Sequence, residues 1–284
     1  MRFTNEEGTV SHFDSVYSMA NIQVPECNME IYRNLVNRYK ENQEDWLGVE
    51  NLSQLKEIVE LYGWKKGVKK GKNIIEQITV PKLPSVKRRK KWGASGQMLN
   101  ISRMYSGNVN KAWRSTYKEL SEGVRAKRSP VTLVIDLCTS AWETSDSFFW
   151  RGALGTVLAR ALQKSGRNVR IIAASRIKND LESYRGSSTK DRQHIVLLDV
   201  KPYGQMVEFN TMFSVTALAG FFRYYFFKAY LSINASLSSG IGSVEKISEG
   251  DLDFLDDGNP MIVIENIWNE ESALRKAKNL LDEI

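Results

Sequence analysis

VTLVIDLCTSAWETSD, residues 131–146, is followed from position 150 by WRGALGTVLARALQKSG. Residues 131–135 are an unbroken apolar run rich in β-branched side chains and entered through Pro130, the composition of a strand covered on both faces. The run stops abruptly at Asp136, with Cys138, Thr139 and Ser140 close behind. From Trp150, the apolar residues Ala153, Leu154, Val157, Leu158, Ala161 and Leu162 fall at the i, i+3, i+4, i+7 spacing of one helix face, and Gly166 is a natural stop. A second apolar run, residues 169–174, follows at once. Strand, polar loop, helix and strand make a βαβ unit, and open α/β sheets bind ligands beyond the carboxyl ends of their strands. Asp136 stands at such an end.

Outward from this unit the C-terminal half keeps alternating. HIVLLDVK at 194–201 reads as another strand, residues 212–231 as a long buried helix and MIVIEN at 261–266 as a further strand. A closing helix starts near Asn269, with Leu274, Ala277, Leu280, Leu281 and Ile284 at helical spacing. The expectation over 129–284 is a three-layer α/β domain: a mostly parallel sheet, the 131–135 strand central, helices on both faces. Upstream, residues 1–30 are weakly periodic. Helices are expected over 29–39 and 52–62, the second capped by Asn51 and stopped by Gly63, with Trp46 and Trp64 packing across it. That gives a small, mostly helical N-terminal module, 1–78. Residues 79–128 read as a basic linker and lead-in, with a helix from about 110 to 123 anchored by Trp92 and Trp113.

The composition, 42% hydrophobic and 26% charged over 284 residues, is that of a soluble globular protein. The first residues, MRFTNEEGTVSHFD, have no apolar core, and the most apolar segment carries Arg223 and Lys228, which are costly in lipid. No membrane partner is expected. Cys27 and Cys138 form no metal-type or CxxC spacing, which fits a reduced, cytoplasmic setting. The net charge of +7 is concentrated: residues 65–91 hold eleven Lys or Arg against one acid, Glu76. Lys65, Lys66, Lys69, Lys70, Lys87, Arg88, Arg89, Lys90 and Lys91, beside Trp64 and Trp92, are the candidate nucleic-acid contacts, cations for phosphates and rings for bases. A solvated linker is the alternative reading.

Catalytic readings find little purchase. A triad hydrolase needs a histidine base, and the two histidines, His12 and His194, sit in a weakly periodic region and at a strand start. GVKKGKN at 67–73 lacks phosphate-loop spacing, and a phosphatase of the haloacid dehalogenase type would want an Asp where Cys138 stands.

The segment from Val131 onward resembles a von Willebrand factor A domain, a Rossmann-like fold. In that family the first strand ends in Asp-x-Ser-x-Ser, a threonine comes from a later loop and an acid follows a later strand. The resemblance implies a divalent-cation site, Mg²⁺ by preference, from Asp136 and Ser140, with Thr211 and then Glu265 as the later ligands. Cys138 departs from the pattern, a thiol being a poor ligand for a hard ion, so the implied site is degenerate. The other reading of this corner is that Asp136 caps a turn and Cys138 fills a small buried pocket. DWLGVENLSQLKEIVELYGWKKG at 45–67 and WGASGQMLNISRMYSGNVNKAW at 92–113 also resemble an uncharacterised family of bacteriophages and other mobile elements. Together the resemblances imply a non-enzymatic binding or adaptor protein in the cytoplasm, the host's if phage-encoded. The resemblance implies a protein partner, for which an AAA+ ATPase of the MoxR type working beside it is the candidate. Nucleic-acid binding and a virion or assembly role are the alternatives. Oligomeric state is not legible.

Overall fold

The computed structural model describes residues 2–4, 8–38, 44–78, 87–95, 97–119, 129–139, 143–179, 192–206, 208–233, 243–265 and 267–283. The N-terminal stretch contributes β1 (Arg2–Thr4), β2 (Gly8–Phe13), α1 (Val16–Ala20), α2 (Met29–Arg38), α3 (Glu44–Leu47), α4 (Leu52–Glu57), α5 (Lys65–Lys70) and α6 (Lys72–Gln77). Next come β3 (Lys87–Gly93), β4 (Met98–Leu99), α7 (Ile101–Tyr105) and β5 (Trp113–Glu119). The remainder supplies β6 (Val131–Asp136), α8 (Ser145–Lys164), β7 (Val169–Asn179), β8 (Arg192–Lys201), α9 (Phe209–Thr216), α10 (Ala219–Phe221), α11 (Phe227–Leu231), β9 (Ser243–Glu245), β10 (Met261–Ile264) and α12 (Glu270–Glu283). Wider, π-helical turns continue α4 through Ile58–Tyr62 and join α10 to α11 through Phe222–Phe226. The chain divides into two compact units, Met1–Val80 with Pro130–Ile284, and Pro81–Ser129.

The first unit is a mixed α/β domain built on a sheet of order β1-β2-β8-β7-β6-β10, with β9 paired to β7. All six residues of β6 are buried, and it is interior, hydrogen-bonded in parallel to β7 and β10. Strand β8 returns antiparallel to β7, and β2 runs parallel to β8. Side chains alternate across the sheet. Leu133 and Ile135 join one large cluster with Phe148, Leu154 and Leu158 of α8, while Val134 joins a smaller one with Ile172, Leu197, Ile247 and Leu252. Each such fully buried aliphatic side chain contributes about 1.5–3 kcal/mol.

Helix α8 is capped by the Thr144 side chain, which accepts from the Ser147 N–H, and the chain turns after it through Gly166 at φ +95°. Two glycines set how closely α8 packs. A Cβ at Gly152 would lie 1.8 Å from the Thr216 carbonyl oxygen, and one at Gly155 would lie 2.4 Å from Ile135. The expected helices at 29–39, 52–62 and 150–166 and the closing helix are present, as are the Asn51 cap and the Gly63 stop.

Four expectations change. Most core residues carried by α-helices, including Ala273 and Ala277 of α12, join the cluster on the Leu133 side, while Leu231 of α11 packs with Val24 in a small cluster of its own. Among the described residues, the opposite face is covered by the short 3-10 helix Glu249–Leu255 through Leu252, not by α-helices. The N-terminal helices form no module of their own: Leu47, Leu52, Leu55 and Trp64 share the α8 cluster, because their apolar faces need that helix for burial. Residues 212–231 are not one helix, since the chain breaks at Ala217 and Leu218 between α9 and α10. Residues 87–119 hold strands where a linker and a helix over 110–123 were expected.

That second unit is a three-stranded antiparallel sheet of order β3-β5-β4. The register runs from Lys87 opposite Glu119 to Gly93 opposite Trp113. Trp113, Thr116 and Tyr117 are strand formers. Their backbone pairing gives the lysine- and arginine-rich run 87–91 an extended conformation that its own composition does not announce. Among the described residues of either unit, no helix is long and apolar enough to cross a membrane.

Candidate functional site: the Asp136 corner

Strands β6 and β10 are parallel and in register, with Ile264 opposite Ile135. Asp136 and Glu265 therefore follow neighbouring strands at the same sheet edge, as the sequence pattern anticipated. Asp136 is 1% exposed. Its Oδ1 accepts from the Cys138 N–H at 2.8 Å, a local turn that fixes the carboxylate. Burial raises its pKa, outweighing the hydrogen bonds from Cys138, the charge of Arg151 and the Ile247 N–H.

The cation at this corner is a side chain. Arg151, in the second turn of α8 and 3% exposed, donates from Nη1 to the carbonyl oxygens of Asp136 at 2.8 Å and Cys138 at 2.6 Å. Burial lowers its pKa from the ordinary arginine value, and the nearby charges of Asp136, Glu143 and Glu265 oppose that shift. The Trp268 ring lies 5.3 Å from the guanidinium. Arg151 Nε has no hydrogen-bond partner among the described residues. A neighbouring arginine, Arg223, is also buried; it donates to the carbonyls of Trp46 and Glu143 and stacks 3.5 Å over Trp46. Sequence reasoning missed Arg151 and noted Arg223 only as a charge costly in lipid, without a role. The available signal was a charged residue inside an otherwise apolar helix, since buried arginines are paired.

Cys138 is packed, not poised. Its Sγ accepts from the Arg176 N–H at 2.9 Å and lies 3.6 Å from Ser175 Oγ, which accepts from the Tyr230 hydroxyl at 2.7 Å. Burial pushes the thiol well above its ordinary pKa, and the Asp136 charge adds to the effect, opposite to what a nucleophilic thiolate needs.

Of the remaining anticipated ligands, Ser140 lies outside the described residues. Thr211 is exposed in the first turn of α9, where its N–H donates to Glu208 at 2.7 Å. Among the described residues no set of three or more His, Cys, Asp or Glu is arranged to hold a metal. The described residues of the Asp136 corner do not suit Mg²⁺, which favours six oxygen ligands: one carboxylate oxygen is engaged by a backbone N–H, Cys138 offers sulfur, and a guanidinium already supplies positive charge. The histidines lie elsewhere. His12 Nε2 is 2.9 Å from Asp199, and His194 is buried in β8.

The basic residues divide between the two units. Lys65, Lys66, Lys69 and Lys70 are on α5 of the first unit, where Lys70 lies 4.4 Å over Phe149 and pairs with Asp146. Trp64 is buried edge-on to Phe149, so it cannot stack on a base. Lys87, Arg88, Arg89, Lys90 and Lys91 are on β3 of the second unit. The basic segment read from the sequence over 65–91 is thus, in its described residues, helical in one unit and a strand in the other.

Fold and corner together define a mixed α/β protein, compatible with a Rossmann-like fold, in which an internal arginine holds the carbonyls at the end of β6. The chain belongs to the family described as Domain of unknown function (DUF7192), whose model matches residues 5–284. Neither curated proteins nor solved structures gave a match.

Proposed function

We propose that this protein is a non-enzymatic binding or adaptor protein, of phage or mobile-element type, acting through a von Willebrand A-like domain whose ion site has been replaced by Arg151. The observation that carries the reading is the convergence of Asp136, Glu265 and the Arg151 guanidinium at neighbouring strand ends. Here a guanidinium holding the carbonyls of Asp136 and Cys138 stands where such a domain binds its ion, and Trp268 beside it, 45% exposed, is the contact surface. The raised Cys138 thiol and the distant histidines favour binding over chemistry. The partner we propose is an AAA+ ATPase of the MoxR type.

Two measurements test this. In calorimetric titrations, wild-type protein should give no Mg²⁺ or Mn²⁺ binding; saturable binding would overturn the replacement of the ion by Arg151. Proteins co-purifying from nuclease-treated lysate should include such an ATPase, and Trp268→Ala should release it. Loss of every partner on nuclease treatment would refute the adaptor reading.

A further inference from the structure

We infer that the three-stranded sheet of the second unit, within residues 87–119, is a binding surface for single-stranded nucleic acid. The inference is independent of the von Willebrand A-like reading. This unit holds thirteen Lys or Arg against two Glu, although the whole chain is only +7. The strand register sets Arg88 opposite Lys118, with Lys87 opposite Glu119. None of Lys91, Arg103, Lys111 and Arg114 is paired with a carboxylate among the described residues.

A ring sits among these cations. The Arg103 guanidinium is 4.1 Å and that of Arg114 5.9 Å from the Trp92 ring, which fixes both arginines beside the basic strand. Most of its described apolar side chains lie outside, with Trp92 and Trp113 half-buried. Among its described residues only Ala112 is buried, while Tyr105 is 85% exposed, Ile101 62%, and Met98, Met104 and Val109 are exposed as well. A dense cationic sheet flanked by uncovered aromatic and aliphatic side chains matches a chain of phosphates carrying unpaired bases: the cations track the backbone and the rings take the base faces. A duplex keeps its base faces stacked away, and a simple polyanion has none to offer.

The test is fluorescence anisotropy of the full-length protein with a labelled oligothymidylate of about 20 nucleotides and with a duplex of equal length. With about five phosphates neutralised, affinity for the single strand should fall about 100-fold between roughly 0.05 and 0.2 M salt. Replacing Lys87, Arg88, Arg89, Lys90 and Lys91 together by Gln should remove most binding and flatten the salt dependence. Tyr105→Ala changes a side chain that supports no packing, so its effect reads binding directly; it should weaken the single-strand complex about 5-fold or more. Replacing Lys65, Lys66 and Lys69 by Gln, on α5 of the other unit, should change nothing. Absence of binding at micromolar protein in about 0.1 M salt would overturn the inference. So would equal affinity for the duplex with an unaffected Tyr105→Ala, or loss of binding in the α5 variant instead of the β3 variant.

Discussion

Arg151 grips the main chain of Asp136 rather than its carboxylate: Nη1 donates to the carbonyl oxygen at 2.8 Å, while Oδ1 is turned to the Cys138 N–H. The arginine therefore works as a structural clamp on the loop as well as a counter-charge. Arg151→Met should cost about 2–5 kcal/mol in denaturant unfolding, because it strips two buried carbonyl oxygens of their charged donor and removes the cation nearest Asp136. Asp136→Asn in the same background should recover part of that loss, and Arg151→Lys, which keeps charge without the planar fork, should fall between. A cost within about 0.5 kcal/mol for Arg151→Met, the range of an ordinary surface change, would contradict the clamp.

Acid stability should depend on Asp199. It takes a two-pronged ion pair from Arg170, at 2.8 and 3.0 Å, and lies 2.9 Å from His12. Burial raises its pKa, but the His12 and Arg170 contacts prevail and leave it below 3.8. The folded state thus holds that proton less tightly than the unfolded chain. The stabilisation is complete above the unfolded value and is lost as pH falls through the folded one. Asp136 has the opposite sign, since its raised pKa costs stability as pH climbs from 3.8 through the folded value. Unfolding followed across the acid range should show Asp199→Asn with a flatter acid limb than wild type, and Asp136→Asn with a steeper one.

Gly152→Ala should be among the most damaging single-methyl changes in the protein. The new Cβ would sit 1.8 Å from the Thr216 carbonyl oxygen, a backbone atom, and would also press on the hydrogen bond between Thr156 and Thr216 at 2.9 Å. Overpacking of this kind costs about 1–3 kcal/mol, read as a lowered Tm. Gly107→Ala, with nothing within 4 Å of the new Cβ but a φ of +82°, should cost only its backbone strain.

The two cysteines should separate cleanly in a thiol assay. Cys27 is exposed, whereas Cys138 is buried with its thiol pushed up. A disulfide reagent should titrate Cys27 in the native protein and Cys138 only on unfolding, at the global unfolding rate. Rapid native reaction at Cys138 would show that the corner opens locally.

The elements most readable in the sequence are those whose pattern is self-contained. Residues 131–135 had to be covered on both faces, and the apolar stripe of α8 with its glycine stop could be little else. The corner was half readable: topology alone carries Asp136 and Glu265 to adjacent strand ends. Arg151 was invisible because no local pattern says which carbonyl a long side chain will reach. Strand β3 was misread because five consecutive Lys and Arg residues carry no strand preference; their conformation is set by residues 113–119, across a gap no periodicity spans. The N-terminal helices looked like a module because their amphipathic faces give no hint of where the matching surface lies.

The pairing of β2 with β8 sets an order of events during synthesis. Residues 8–13 find their parallel partner only when residues 193–198 have been made, and the Asp136 edge is completed only when β10 follows. The Pro81–Ser129 unit, whose strand pairings are all internal, is under no such delay. On the ribosome the basic unit can therefore form first, while the strands and helices on either side of it wait for each other across a long loop, the kind of distant contact that slows folding.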